Sequence, residues 1–165
     1  MKTIRMYDYA CRSDIKAEEE CIINMGLAYY QLGSVDAIYA FHAQYPKARI
    51  MLDLRIQDED DILDEKIAFD AGADLVSISG LADDRVLAEA QEVAEASNAS
   101  LIMNLAGVSD ADARLVDADL CGIEYALLPA GAKLKDEHYA VLGQYGVRKY
   151  RRLDQVLKAQ ESAAL

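Results

Sequence analysis

The sequence predicts an α/β fold with a parallel sheet of about six strands. Three features lead there. Short apolar runs alternate with amphipathic helical patterns through most of the chain, the helical stretches open on Asp or Ser and stop at Gly or Pro, and the connections are short. Crossovers between parallel strands are right-handed, which leaves a doubly wound sheet and a (β/α) barrel as the two architectures. With 165 residues, no linker and no low-complexity tract, the chain reads as one domain, residues 1–165.

Taken in order, Thr3 to Tyr9 is a first strand ending near Asp8. Ser13 or Asp14 can cap a helix whose apolar positions Ile15, Ala17, Cys21, Ile22 and Met25 recur at helical spacing, with Gly26 as its stop. Leu27 to Leu32 reads as the second strand, Gly33-Ser34 as a turn, and Val35 to Gln44 as a helix ended by Tyr45-Pro46. Ile50 to Asp58 is the third strand, and Asp60 to Ala71 a helix stopped by Gly72. Asp74 to Ile78 is the next strand. Asp83 or Asp84 caps a helix with Val86, Leu87, Ala90, Val93 and Ala94 on its apolar stripe. Leu101 to Leu105 is a strand, Asp110 to Leu120 a helix and Ile123 to Leu128 a strand. Lys135 to Leu142 reads as a helix, Gln144 to Arg152 as a basic stretch, and Leu153 to Gln160 as a terminal helix.

Charge and composition exclude some classes of function. Seventeen basic against 29 acidic residues give a net charge of −12, which argues against nucleic-acid and anionic-membrane partners. No apolar run approaches a membrane span, and the start, Met1 to Asp8, has no long apolar signal region, so a cytoplasmic chain is expected. Cys11, Cys21 and Cys121 stand in no metal-ligand spacing and read as reduced thiols. His42 and His138 fall on helical patterns as packing or surface residues, and Tyr29 and Tyr30 read as strand packing. Arg148, Lys149, Arg151 and Arg152 read as a solvated basic face.

The stretch with most chemistry is Ile50-Met51-Leu52-Asp53-Leu54-Arg55-Ile56-Gln57-Asp58. Asp53 and Arg55 are two apart, so on a strand they point to one side, and Asp58 follows where strand becomes loop. Charge on one face of an apolar strand is costly to bury unpaired. Spacing alone leaves two readings open: a structural ion pair at a strand end, and a site.

Around this stretch lie Gln31-Leu32-Gly33, Ala71-Gly72-Ala73-Asp74, Ala82-Asp83-Asp84 and Gly107-Val108-Ser109-Asp110, in this order. With Asp53-Leu54-Arg55-Ile56-Gln57-Asp58, this series resembles the orotidine monophosphate decarboxylase superfamily. Within it the resemblance is to the branch of 3-keto-L-gulonate 6-phosphate decarboxylase and 3-hexulose-6-phosphate synthase. The resemblance implies a TIM-type (β/α) barrel, here truncated to about six parallel strands with a terminal helical segment. It also implies a homodimer, a small phosphorylated sugar as substrate and Mg²⁺ stabilising an enediolate. By the same resemblance Asp53 and Gln31 serve the metal, Arg55 and Asp58 join Asp53 as catalytic residues, Asp58 reaches across the dimer interface, and Asp8 and Asn104 face substrate.

Departures from the family pattern accompany the matches. Gln31 stands where the family has Glu, Arg55 where it has Lys, Asn104 where it carries Glu or Asp, and Pro129 where it has His. The Gly-rich turns that hold phosphate after the last two barrel strands are not found after Gly131. A guanidinium with pKa above ~12 cannot shuttle protons near neutral pH, though it can stabilise an oxyanion. The sequence therefore points to a divergent sugar-phosphate lyase-family protein in carbohydrate metabolism with its ancestral activity altered or lost. The alternative is a non-catalytic binding or partner-subunit protein that keeps the barrel and the dimer surface.

Overall fold

The structure is a computed structural model that describes residues 3–26, 35–128 and 139–142. The expected strand at 27–32, the position of Gln31, the basic stretch at 144–152 and the expected helix at 153–160 lie outside the described residues. Seven strands are described: β1 (Thr3–Asp8), β2 (Cys21–Asn24), β3 (Ala48–Ile56), β4 (Leu75–Ser79), β5 (Ser100–Asn104), β6 (Tyr125–Leu127) and β7 (Tyr139–Leu142). They are parallel and pair in chain order, and β7 pairs back onto β1 through Thr3↔Ala140 and Ile4↔Val141, closing a barrel. The helices are α1 (Val35–Gln44), α2 (Ile62–Asp70), α3 (Asp84–Ala96) and α4 (Ala111–Cys121), with 3-10 turns at Tyr9–Asp14 and Glu59–Asp61. The expected TIM-type (β/α) architecture is therefore the observed one.

Two elements differ from expectation. The segment from Ile15 to Met25 is not a helix but follows a 3-10 turn and enters β2. Cys21-Ile22-Ile23-Asn24 is buried at all four positions between β1 and β3, and a short apolar run buried on both faces cannot be told from a helix by periodicity. The end of the expected helix at 135–142 is β7, where pairing with both β1 and β6 decides the conformation. This strand is also why the sheet closes with seven strands rather than stopping at six with open edges.

Two apolar groups hold the barrel. The outward-facing strand residues Ile23, Ile50, Leu52, Val76, Ile78, Leu101 and Met103 pack with Val86, Leu87, Ala90 and Leu115 of the helices. Met6, Ile22, Met51, Leu75, Ile102, Tyr125 and Leu127 form a separate cluster drawn from β1 to β6. By the alternation of strand side chains this second cluster fills the barrel interior.

The helix starts follow the sequence. Asp83 Oδ1 accepts the Val86 N–H at 2.9 Å at the head of α3, and Asp110 Oδ1 accepts the Ala113 N–H at 3.1 Å at the head of α4. Gly122 ends α4 at φ +88°, a left-handed conformation that suits glycine. Asp74 of the Ala-Gly-Ala-Asp motif sets the β3–β4 register. Its N–H donates to Ile50 O at 2.9 Å, its Oδ2 accepts the Ile50 N–H at 2.8 Å, and His42 Nε2 lies 3.2 Å from the same oxygen. The His42 imidazole thus meets the carboxylate that sets this register.

Candidate active site

Going two residues toward the carboxyl end from the interior plug gives a polar side chain on each of five strands. Met6 leads to Asp8, Ile22 to Asn24, Met51 to Asp53, Leu75 to Ser77 and Ile102 to Asn104. With a side-chain period of two, these five groups form one layer above the plug, at the end of the barrel where TIM-type folds carry their sites. Asn24, Ser77 and Asn104 are buried, and the Asp53 side chain is only 9% exposed.

Three of the five use the same local device. Asn24 Oδ1 accepts the Gly26 N–H at 2.7 Å, Asn104 Oδ1 accepts the Ala106 N–H at 3.0 Å, and Asp8 Oδ1 accepts the Ala10 N–H at 3.4 Å. Each carboxamide or carboxylate thereby turns its own strand into the following loop.

Asp53 and Ser77 are bound to each other. Between Leu52 and Ile56 the pairing advances four residues on β3 but only two on β4, from Val76 to Ile78, which makes a bulge. Arg55 lies in that bulge at φ +50°, a left-handed conformation that costs a non-glycine residue about 1–2 kcal/mol. Ser77 Oγ donates to Asp53 Oδ1 at 2.7 Å and accepts the Arg55 N–H at 2.9 Å. Arg55 Nε donates to Asp53 Oδ2 at 3.3 Å, while its side chain is 53% exposed. Asp53 N–H donates to Gly26 O at 3.2 Å, tying the bulge to the end of β2.

The expected residues therefore fall into groups. Asp8, Asp53 and Asn104 share the polar layer, and Arg55 stands at its rim against Asp53. Asp58 is exposed at the head of the turn before α2, where its N–H donates to Asp61 Oδ2 at 3.0 Å. Arg55 pairs with Asp53, two residues away, rather than with Asp58 along the strand end. Sequence reasoning missed Asn24 and Ser77. Ser77 was legible in the alternation Leu75-Val76-Ser77-Ile78-Ser79, which puts both serines on the side of Leu75, whereas Asn24 was hidden by the helix expected over Ile15 to Met25.

The β4–α3 loop beside this layer is held by Arg114 of α4. Its Nε donates to Gly80 O at 2.8 Å, its Nη2 to Ala82 O, and its Nη1 meets Asp84 Oδ1 at 2.6 Å and Asp117 Oδ2 at 3.0 Å. Gly80 N–H in turn donates to Asn104 O at 2.8 Å. A Cβ on Gly80 would stand 2.7 Å from Val108 Cγ2 and 3.1 Å from Asn104 O, so the loop approaches β5 as closely as only glycine permits.

The donors at the mouth are two carboxylates with amide and hydroxyl oxygens, the hard set that Mg²⁺ takes when one or two carboxylates and further oxygens complete its shell. Among the described residues no trio of His, Cys, Asp or Glu gathers to hold a metal by itself. Asp53, bound by Ser77 and Arg55, could hold such an ion.

The family model for orotidine 5'-phosphate decarboxylase / HUMPS proteins matches residues 10–159. A 3-hexulose-6-phosphate synthase of Mycobacterium gastri is 31% identical over 115 residues, covering 70% of this chain and 55% of that protein. The chain spans about half the length of the curated relatives it matches. A crystal structure of a 3-hexulose-6-phosphate synthase superposes with a TM-score of 0.65 at 23% identity, over 88% of this chain and 81% of that one. That of 3-keto-L-gulonate-6-phosphate decarboxylase from Vibrio cholerae O1 biovar El Tor gives 0.60 at 19% identity, over 76% and 61%. These two likenesses show the barrel fold. With the family model spanning most of its length, the chain belongs to the orotidine 5'-phosphate decarboxylase / HUMPS family.

Proposed function

We propose that the chain is a divergent sugar-phosphate lyase-family protein that binds a small phosphorylated sugar at the carboxyl end of its barrel, with its ancestral proton chemistry altered. The observation that carries this reading is the Asp53–Arg55–Ser77 cluster on the polar layer, in a chain whose relatives include proteins named 3-hexulose-6-phosphate synthase. Mg²⁺ bound there would supply a divalent charge for an enediolate oxygen pair. Asp53 would hold that ion together with Gln31. Arg55 places a permanent positive charge at the rim, able to stabilise a developing oxyanion but not to carry a proton near neutral pH. Asp8 and Asn104 line the mouth toward the substrate hydroxyls.

The test is turnover by purified chain at high concentration. Either aldol formation from formaldehyde and ribulose 5-phosphate, or release of carbon dioxide from 3-keto-L-gulonate 6-phosphate, is measured with and without Mg²⁺. Activity that falls at least about a hundredfold in Asp53→Ala supports the reading. Absence of both turnover and ribulose 5-phosphate binding sinks it. Binding without turnover favours the second reading, a non-catalytic binding or partner subunit, for which the Lys-to-Arg departure at Arg55 speaks.

The reading includes a homodimer. Leu63 and Ile67, one turn apart on α2 and 65% and 45% exposed, offer an apolar face on the helix that follows Asp58. Light scattering should give twice the chain mass, and Leu63→Asp should halve it. A monomeric wild-type chain removes the dimer from the proposal.

A further inference from the structure

We propose that Ser77 is a positioning residue for the Asp53–Arg55 pair, and the proposal rests on the reading of that pair as the sugar-phosphate site. A serine hydroxyl has one proton and two acceptor lone pairs. Asp53 Oδ1 lies 2.7 Å away and accepts that proton. The lone pairs then face the Arg55 N–H, 2.9 Å away, which the bulge has removed from the β3–β4 ladder. One fully buried hydroxyl thus fixes the carboxylate rotamer of Asp53 and the left-handed backbone of Arg55 together. Turning either group turns the other, because both are referred to the same oxygen on a rigid strand.

A serine that only filled space in the barrel would not discriminate between a methyl and a hydroxyl. Ser77→Ala deletes the oxygen with almost no change in packing volume, and Ser77→Thr keeps it. Neither substitution touches the solvent-exposed guanidinium. The hydroxyl, if it positions the pair, should act through Asp53 and not in parallel with it, which a double-mutant cycle resolves.

Two measurements on the full chain test this. By amide hydrogen exchange, the Arg55 N–H of Ser77→Ala should exchange about tenfold faster than in the wild type, and Ser77→Thr should restore its protection. By titration with ribulose 5-phosphate in Mg²⁺, Ser77→Ala should bind about tenfold more weakly, while Asp53→Ala and the Asp53→Ala/Ser77→Ala double variant should bind alike. Wild-type protection at Arg55 in Ser77→Ala overturns the proposal, and so do independent, multiplying effects of the two substitutions. If the wild-type chain itself does not bind the sugar phosphate, the lyase reading falls separately and the Arg55 exchange alone decides the role of Ser77. Should Ser77→Ala not fold, Ser77→Cys carries the same comparison, with weaker protection at Arg55 expected and unchanged protection overturning the proposal.

Discussion

Glu65 is fully buried on α2, and neither of its carboxyl oxygens has a hydrogen-bond partner among the described residues. Burial pushes its pKa up to about 8. The folded chain thus keeps a proton that the unfolded chain releases in the ordinary carboxylate range. Stability is therefore fullest below that range, declines as pH rises toward about 8, and levels off above it, by an amount on the order of a few kcal/mol. Glu65→Gln removes the titration, so its melting temperature should be nearly flat over the window where the wild type loses stability. A parallel decline in both proteins, followed by calorimetry against pH, would assign the effect elsewhere. Arg55 makes the opposite kind of residue-scale prediction. Its left-handed backbone is strained, so Arg55→Gly should raise or hold the denaturation midpoint, by up to about 1 kcal/mol, while weakening sugar-phosphate binding. A clear loss of stability in urea would show that the conformation carries no strain.

Arg114 joins elements rather than residues. Its side chain is 13% exposed and its guanidinium serves the carbonyls of Gly80 and Ala82 together with Asp84 and Asp117, so one side chain pins the β4–α3 loop to α4. Hydrogen bonds to a charged donor contribute about 1.5–3 kcal/mol each when partly buried. Arg114→Ala should therefore lower stability by about 2–3 kcal/mol, and Arg114→Lys should recover only part, since an ammonium cannot span both carbonyls in one plane. Urea denaturation reads both. The helix caps give smaller effects of the same kind: Asp83→Ala and Asp110→Ala should each cost about 1 kcal/mol.

At the scale of the whole molecule the decisive feature is closure. β7 pairs with β6 on one side and β1 on the other, so the sheet has no free edge among the described strands. Ala140 sits in both ladders, opposite Thr3 and Ala126. Ala140→Pro removes a donor there and should cost about 3 kcal/mol or more, leaving β1 and β6 open to pairing with other chains. Thermal unfolding together with light scattering should show a lowered melting point and concentration-dependent association. A variant with the wild-type melting point would mean that β7 contributes little to closure.

The local sequence determined the four described α-helices, the cap residues Asp83 and Asp110, the strands β3 to β6 and the family, because propensity, capping and alternation act within a few residues. It placed Asp53 and Arg55 on one side of a strand and so brought the pair into view. Tertiary structure decided what depends on contacts distant in sequence. Cys21-Ile22-Ile23-Asn24 becomes β2 because two neighbouring strands bury it, and Tyr139–Leu142 becomes β7 because β1 lies free to receive it. Ser77 acquires its place for the same reason. Its hydroxyl means little in the run Leu75 to Ser79, until a bulge 22 residues earlier in the chain presents it with the Arg55 N–H that has left the ladder.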